Sequence, residues 1–363
     1  TQFDMNSFNI QQLVLDASNF EYRPKQFNLS IDQLSFYEPS GIRLDKLAFE
    51  AGLTDTSAYI SDFIFRLNQS TANANLKVDY KSLNQAIKNP EQSELSAELK
   101  NLSLEMDDVQ QLLPELASNP YLDSLAKKPI TGTVFAKGNL KRVDNFNAGL
   151  SWGKTTHLSA SGSLSDLTQT DSVQYDLKDV RLTSSQADIS KFVSVKDLGI
   201  SIPKTMTIEG SISGSVTNFR TNMLLQIPEG QASVAGSLAF GESIGFQGEV
   251  EMDSVQLGRL LKNEQLGYIS LQIEGSGYGT SINNLDANVK GTILQFELND
   301  YKYNNILVDG SLTNGSGTIS ANIKDPNLNM NVDTQLDLGS ENTTVALTSN
   351  IVGADLKNLG FTS

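Results

Sequence analysis

A short phrase that recurs at a fixed interval most strongly constrains the fold of this chain. The copies are Ser161-Gly162-Ser163-Leu164, Ala235-Gly236-Ser237-Leu238 and Asp309-Gly310-Ser311-Leu312, and successive glycines are 74 residues apart in both intervals. A repeat of this length is a supersecondary unit that buries its apolar side against neighbouring copies. We therefore predict a repeat protein rather than a set of unrelated domains.

Each copy also contains a short stretch with helical spacing, at residues 107–113, 187–193 and 254–261. In the first stretch Val109, Leu112, Leu113 and Leu116 fall on one helical face. Asp107 or Asp108 is a candidate N-cap there, and Pro114 marks an early end. The predicted unit is therefore one short helix followed by several strands.

Apolar and polar residues alternate through most of the remaining chain, which is typical of strands with one apolar and one wet face. Turn signals separate them, at Pro39-Ser40-Gly41, Asn68-Gln69-Ser70, Asn314-Gly315 and Asp325-Pro326-Asn327. Residues 84–94 are polar and contain a proline, which favours an irregular linker. At roughly 12 residues per strand and turn, we expect about 30 strands.

A sheet with one apolar face must pair with a second sheet, close into a barrel, wind into a solenoid, or curl around something apolar that is not protein. We predict a mostly β fold, in which an elongated repetitive antiparallel sheet is curled into a groove, with a few short helices. Residues 1–90 form a variant β segment, 91–164, 165–238 and 239–312 three repeats, and 313–363 the start of another. The pattern runs from end to end, so an internal segment of a longer protein is expected.

Composition narrows the function. The chain has 27 Lys and Arg against 42 Asp and Glu, a net charge of −15. This acidity disfavours nucleic acid and anionic membrane faces as general partners. The absence of cysteine excludes disulfides, thiolate metal sites and cysteine nucleophiles.

Few residues are candidates for chemistry. His157 is the only histidine, and its context favours a strand or surface position. The run Gly275-Ser-Gly277-Tyr-Gly279 continues a strand pattern and lacks the following helix of a phosphate loop. Glu249, Glu251 and Asp253 alternate with Val250 and Met252, which favours a solvated strand face over a calcium site. Trp152 is expected to pack on a strand surface or edge. We predict no enzyme, no metal and no cofactor.

The apolar face itself is the remaining candidate site. An ordinary core is the alternative, but no matching bulky residues from a second sheet or covering helices are evident in the sequence. The candidate ligand-contacting residues are Ile130, Val134, Met206, Ile208, Ile212, Val216, Phe246, Val250, Ile269, Leu271, Ile273, Leu285, Val289 and Ile293.

Several strand-and-turn phrases resemble the AsmA-like superfamily, in particular the TamB-type proteins of the Bacteroidota envelope. They are Phe3-Asp-Met-Asn-Ser-Phe-Asn-Ile-Gln-Gln-Leu13, Leu29-Ser-Ile-Asp-Gln-Leu-Ser-Phe36, Pro39-Ser-Gly-Ile-Arg-Leu44, and Tyr301-Lys-Tyr-Asn-Asn-Ile-Leu-Val-Asp-Gly-Ser-Leu-Thr-Asn-Gly315 running into Asp325-Pro-Asn-Leu328. The resemblance implies a "β-taco", an antiparallel sheet folded lengthwise with a hydrophobic groove. It also implies residence in the periplasm, an inner-membrane anchor and membrane contact through parts absent from this chain.

Three functions are then open. The first is an envelope lipid-transfer protein whose groove carries phospholipid or other acyl chains between the inner and outer membranes. The second is an assembly module for outer-membrane β-barrel proteins, acting with a TamA-like barrel partner through strand addition. The third is a structural β-solenoid spacer or adhesin with a closed, dry core.

Overall fold

The computed structural model describes residues 9–112, 128–139, 141–167, 173–192, 199–339 and 343–360. The chain is mostly β, with 71% strand and 8% helix. It divides into two compact units, unit 1 (residues 1–192) and unit 2 (residues 193–363). The boundary falls inside the predicted repeat 165–238.

Unit 1 contains ten strands, each paired antiparallel with the next along the chain. They are β1 (Gln11–Arg23), β2 (Gln26–Glu38), β3 (Ile42–Leu53), β4 (Ser57–Leu67), β5 (Ser70–Asp79), β6 (Glu94–Leu104), β7 (Ile130–Asn139), β8 (Arg142–Trp152), β9 (Thr156–Ser165) and β10 (Gln174–Ser185). Its helices within the described residues are α1 (Leu83–Lys88), α2 (Met106–Leu112) and α3 (Gln186–Ile189), with a 3₁₀ turn at Pro90–Gln92.

Unit 2 contains ten further strands, again paired antiparallel in chain order. They are β11 (Thr205–Gly214), β12 (Asn218–Ile227), β13 (Gly230–Ala239), β14 (Ile244–Gln256), β15 (Leu266–Gly279), β16 (Asp286–Leu298), β17 (Tyr301–Thr313), β18 (Ser316–Asp325), β19 (Leu328–Asp337) and β20 (Thr344–Ala354). Its one α-helix within the described ranges is α4 (Leu257–Leu261), and a 3₁₀ turn covers Ile282–Asn284.

The predicted fold class is confirmed: the strands are antiparallel, the helices are few and short, and the sheet is not closed. Over the residues described, β1 pairs only with β2 and β20 only with β19. The expected number of about 30 strands was wrong, because the described ranges contain 20. The strands are 10–14 residues long, so each one with its connection takes more chain than we assumed.

The 74-residue repeat corresponds to four strands. Gly162, Gly236 and Gly310 lie on β9, β13 and β17, and the leucine two residues later points to the same face as its glycine. A Cβ added at Gly162 would overlap the carbonyl oxygen of Asp176, and one at Gly236 that of Gln247. In both cases the obstacle is the next strand, so the repeated glycine marks a close approach of two backbones.

The predicted turns are present. Asn314 and Gly315, with φ of 50° and 77°, form the two-residue connection between β17 and β18. Residues 84–94 were predicted as a short linker or irregular connection, and they do connect β5 with β6. The connection is not irregular throughout, because α1 (Leu83–Lys88) extends into it, with the Ser82 hydroxyl accepting a hydrogen bond from the Gln85 N–H. Ser82 is therefore the N-cap that starts the helix.

The three predicted helical segments are confirmed as α2, α3 and α4. Asp107 and Asp108 lie within the first turn of α2, so their prediction as N-caps was wrong. Leu113, Pro114 and Leu116 lie outside the described residues.

Antiparallel pairing gives each unit two rims, where the connections lie. The clasp rim carries residues 39–41, 68–69, 105–112, 153–155 and 186–192 in unit 1, and 228–229, 257–265, 299–300 and 326–327 in unit 2. The hairpin rim carries residues 24–25, 54–56, 80–93 and 141 in unit 1, and 215–217, 240–243, 280–285 and 314–315 in unit 2.

The buried core lies mainly at the clasp rim. In unit 1, Ile42, Leu44 and Leu67 are buried, and Leu112 of α2 packs against them. In unit 2 the corresponding cluster is Tyr303, Ile306 and Leu359. Both clusters lie near the clasp rim, whereas Val143 of β8, 1% exposed, is buried beside the hairpin rim of unit 1.

Candidate functional site

One face of the unit 2 sheet is an uninterrupted set of uncharged rows. Because directly paired residues point to the same face, the strand register defines each row. The first row runs Ile208, Leu225, Ala232, Met252, Leu271, Ile293, Ile306, Ile323, Met330 and Ile351. The second runs Gly210, Met223, Val234, Val250, Ile273, Gly291, Val308, Ala321, Val332 and Ser349. The third runs Ile212, Thr221, Gly236, Gly248, Gly275, Val289, Gly310, Ile319, Thr334 and Leu347. The fourth runs Gly214, Phe219, Leu238, Phe246, Gly277, Ala287, Leu312, Gly317, Leu336 and Val345.

Unit 1 presents a similar face. One row crosses all ten strands: Tyr22, Phe27, Leu53, Ala58, Val78, Leu95, Gly138, Val143, Leu164 and Tyr175. The next runs Leu29, Ala51, Ile60, Leu76, Ala97, Ala136, Phe146, Gly162 and Leu177. Beside it lie Phe63, Ala74, Leu99, Val134, Ala148, Ala160 and Val180. None of these positions carries a charge, so both units have an apolar face.

The apolar face of unit 2 is only partly shielded from solvent. Of the forty positions in its four rows, Ile306 alone is buried, whereas the others are half-buried or exposed. Val234 is 44% exposed in the middle of the second row, and Leu347 is 65% exposed on the edge strand β20. The rows are therefore not a closed core; the exception is at Ile306, against which Leu359 packs.

Eleven of the predicted ligand-contacting residues lie on these faces. Eight occupy the four rows of unit 2: Ile208, Ile212, Phe246, Val250, Leu271, Ile273, Val289 and Ile293. Val134 lies in the unit 1 rows, and Ile130 begins the same strand, β7.

Met206 is the eleventh, because it lies on β11 two residues before Ile208 and therefore on the same face. The other three are placed differently. Ile269 is on β15 but is buried near the clasp rim. Val216 is 73% exposed in the β11–β12 connection, and Leu285 lies in the β15–β16 connection. Ile293 also packs against the Tyr303–Ile306 cluster, so it belongs partly to the core.

Sequence reasoning missed much of the face. The rows continue across β17–β20 through Val308, Ile319, Met330 and Ile351, and they include most of unit 1. The alternation of Ile319, Ala321 and Ile323, and of Leu328, Met330 and Val332, was a usable signal. Extending the register outward from Gly310 would have placed these residues in the rows.

Two buried aspartates of unit 1, four strands apart, each form a clasp, a set of hydrogen bonds that ties one connection of the clasp rim to a neighbouring turn. Asp108, in α2, accepts hydrogen bonds from Ser70 N–H (2.9 Å), Ser70 Oγ (2.7 Å) and Asn68 Nδ2 (3.1 Å) in the β4–β5 turn. Asp188, in α3, does the same for the β8–β9 turn, accepting from the N–H groups of Lys154 and Thr155, both at 2.9 Å. In each case a connection reaches back over two strands to fasten a neighbouring turn.

Unit 2 has a third aspartate of this type. Asp325 ends β18 and accepts hydrogen bonds from the Tyr301 hydroxyl and from Asn304 N–H (3.3 Å), beside the β16–β17 turn. Burial raises the pKa of Tyr301, and the hydrogen bond to Asp325 raises it further. At α4, which follows β14, no aspartate takes this place. The Gln256 N–H instead donates a hydrogen bond to the Glu229 carbonyl oxygen in the β12–β13 turn (2.7 Å).

The Asp188 clasp has a distinct electrostatic signature. Burial by itself would raise the pKa of this carboxyl, since its residue is 2% exposed. Hydrogen bonds from Thr155 N–H, Lys154 N–H and the Thr156 and Thr155 hydroxyls outweigh that effect and lower the pKa to about 2. The carboxylate is therefore ionised and fully occupied in holding the turn.

The opposite face of unit 2 is polar. Glu249 and Glu251 lie there, and Gln272 Nε2 donates to both, at 2.6 and 3.1 Å. The alternating residues Val250 and Met252 point to the apolar face, which confirms the predicted alternation. Within the described ranges no group of three or more His, Asp and Glu side chains is arranged to hold a metal ion.

The remaining residues singled out from the sequence are structural. His157 is exposed on β9, with Nδ1 2.8 Å from Ser151 Oγ on the paired strand. Gly275 and Gly277 lie on β15, where a Cβ at Gly277 would come within 2.6 Å of the Phe246 ring. Trp152 is the half-buried last residue of β8. All three agree with the strand interpretations.

Comparisons with known proteins give no further assignment: no protein-family model, curated protein or solved structure matches the chain. In the part that the structure describes, no helix has both the length and the apolar character needed to cross a membrane.

Proposed function

We propose that this chain is a periplasmic segment of an envelope-spanning lipid-transfer protein of the AsmA-like, TamB type. In this proposal its apolar faces carry phospholipid acyl chains between the inner and outer membranes. The observation that carries it is the set of four uncharged, half-buried rows across ten strands of unit 2, together with the similar rows of unit 1.

The dimensions and energetics of the face suit acyl chains. Strands about 4.8 Å apart give ten strands a span of roughly 43 Å, and four rows about 6.8 Å apart cover roughly 20 Å along the strands. An acyl chain occupies about half of the ~30 Å hydrocarbon core of a bilayer, or about 15 Å. Each methylene leaving water for this face gains about 0.8 kcal/mol, and continuous rows keep that gain as a lipid slides.

Neighbouring residues on opposite faces provide a direct test. Leu271 lies in the first apolar row, and Gln272 points to the polar face. A photo-crosslinking amino acid at position 271 should capture phospholipid when the protein is expressed in its native host, and the same group at position 272 should not. Mass spectrometry of the adducts identifies the lipid. Equal labelling at both positions, or none at either, would contradict the proposal.

Charges on the face test transport itself. Ile208→Asp and Leu271→Asp should each reduce phospholipid co-purification and disturb envelope lipid balance, because a carboxylate among the methylenes costs several kcal/mol. Asn222→Asp is the control, because it adds the same charge at an exposed position of the polar face, between Thr221 and Met223 of the rows. Normal lipid balance with both apolar-face variants would count against a conduit.

A second function is favoured by one observation. Every residue of β20 is exposed, and Val345 and Leu347 point to the apolar face, so this strand suits addition of a further strand. Assembly of outer-membrane β-barrel proteins with a TamA-like partner would use such an edge. Crosslinking of a client strand to β20, with lipid absent from the face, would favour that function over the conduit.

A further inference from the structure

A short turn after β20 places one leucine on the apolar face of unit 2. Residues 355–360, the plug segment, are exposed except at Leu359, which is 3% exposed. Leu359 forms a buried cluster with Tyr303 and Ile306 of β17. A single side chain of this segment is therefore inserted among residues of the sheet.

The leucine lies over the first apolar row. Ile306 belongs to that row, and its neighbours in the row on β16 and β18, Ile293 and Ile323, pack against the same cluster. Ile306 is also the one buried position among the forty of the four rows. Leu359 therefore shields the first row at the place where the proposed function puts an acyl chain, and its methyl groups have the same chemistry as that chain.

The plug segment repeats a spacing found in unit 1. Asp355 stands four residues before Leu359, as Asp108 stands four residues before Leu112. The Leu359 N–H donates to the Asp355 carbonyl oxygen (3.0 Å), which closes one helical turn. Leu112 likewise packs against the buried cluster of its own unit. Both segments thus combine an aspartate with an apolar residue one turn later.

The two segments are anchored differently. Asp108 is 6% exposed and accepts hydrogen bonds from the N–H and hydroxyl of Ser70 in a distant turn. Asp355 is exposed, and its carboxylate accepts from the N–H (3.1 Å) and Nδ2 (2.9 Å) of Asn358 in its own segment. The plug segment is tied to the sheet at Asn327, whose carbonyl oxygen accepts from the Asp355 N–H (2.9 Å) and whose Oδ1 accepts from Asn358 Nδ2 (3.4 Å).

The anchoring of the plug segment is therefore weak apart from Leu359. Asp355 and Asn358 are exposed, so water competes for the hydrogen bonds that they make. Leu112 lacks this freedom, because the buried Asp108 clasp fixes the helix that carries it. The apolar contact of one leucine is what holds the plug segment on the face.

We propose that Leu359 is a displaceable plug, and that a phospholipid acyl chain takes its place over Tyr303 and Ile306. This inference rests on the proposed function and adds to it a segment that covers part of the first row until lipid arrives. An acyl chain with many methylenes covers more apolar area of the row than one leucine does, so lipid wins the exchange. The plug segment then moves into solvent, where its other residues already lie.

A single thiol measures the displacement. The chain has no cysteine, so Leu359→Cys provides the only thiol, and its reaction with a maleimide reports how often position 359 is exposed. Phosphatidylcholine vesicles should accelerate that reaction several-fold in the purified chain. Leu356→Cys is the matched control in the same segment, because Leu356 is already 51% exposed. Its reaction should be fast and should change less than twofold with vesicles.

Removing the plug should open the row locally. Lipid capture from the same vesicles is measured with a photo-crosslinking amino acid at position 323, beside the plug, or at position 271, farther along the first row. Leu359→Ser should raise capture at 323 several-fold and change capture at 271 less than twofold. Leu356→Ser makes the same chemical change at an exposed position and should alter neither.

The outcomes separate the plug from the conduit. Lipid capture at 271 with an unchanged maleimide rate for Leu359→Cys would show that the leucine is a fixed part of the core, and would overturn the plug while leaving the conduit standing. Unchanged or reduced capture at 323 in Leu359→Ser would overturn it as well. If neither 271 nor 323 captures lipid in any variant, the proposed function itself fails.

Discussion

The clasp rim and the middle of the apolar face are built from the same strands but stabilised differently. At the rim, Ile269 is buried on β15, and carboxylates such as Asp188 fasten distant turns. Two residues from Ile269, Leu271 is only half-buried in the first apolar row. The difference indicates that folding energy is concentrated along one rim, which leaves the face available for a ligand.

The largest expected effect comes from placing one charge on either side of that boundary. Ile269→Asp should lower the free energy of unfolding by about 4 kcal/mol, because it buries an unpaired carboxylate. Leu271→Asp should cost no more than about 1 kcal/mol, since water reaches that row. Urea unfolding of both variants measures the difference. Equal costs would mean that the face is an ordinary core.

Removing a clasp should come next. Asp188→Ala leaves the N–H groups of Lys154 and Thr155 and two hydroxyls without their acceptor, and should cost about 3 kcal/mol. Asp176→Ala, at an exposed carboxylate of the same unit, should cost less than about 0.5 kcal/mol. The two urea midpoints settle the comparison. A similar loss of stability in both variants would show that the Asp188 hydrogen bonds stabilise the fold no more than an exposed carboxylate does.

The same clasp predicts a dependence on pH. The pKa of Asp188 is about 2 in the folded protein, below its ordinary value of 3.8. A lowered pKa in the folded state stabilises it at pH values above 3.8, and this contribution is lost as pH falls towards 2. The shift corresponds to roughly 2 kcal/mol. The stability advantage of the wild type over Asp188→Asn should therefore shrink between pH 4 and pH 2, and a constant difference would contradict the assignment.

The sequence predicts the face better than it predicts the rim. Alternation and the Gly-Ser-Leu repeat are local signals, so strand character, turns and most of the candidate residues follow from them. Val216 was misplaced because a three-residue turn interrupts the alternation before Phe219. The clasps were missed because Asp108 and Asp188 bind residues 38 and 34 positions away, and a helical aspartate has no local feature that marks such a partner.

The smallest effect we expect concerns the repeated glycine, which belongs to the face rather than to the rim. Gly236 and Gly248 oppose each other in the third row, and a Cβ at Gly236 would lie 2.8 Å from Gly248 Cα and would overlap the carbonyl oxygen of Gln247. Gly236→Ala should therefore cost about 1–2 kcal/mol, as the two strands must separate locally. Gly241→Ala is the control, because nothing lies within 4 Å of its Cβ position.

If Gly236→Ala also weakens lipid capture at position 271, the close strand approach shapes the ligand-binding face as well as the sheet. If stability falls but capture persists, the glycine serves packing alone. The two measurements therefore separate two roles of the repeated glycine. A loss of stability alone would show that it only brings the strands together, because the apolar rows would still bind lipid. A cost seen in both ties the 74-residue period directly to the proposed conduit.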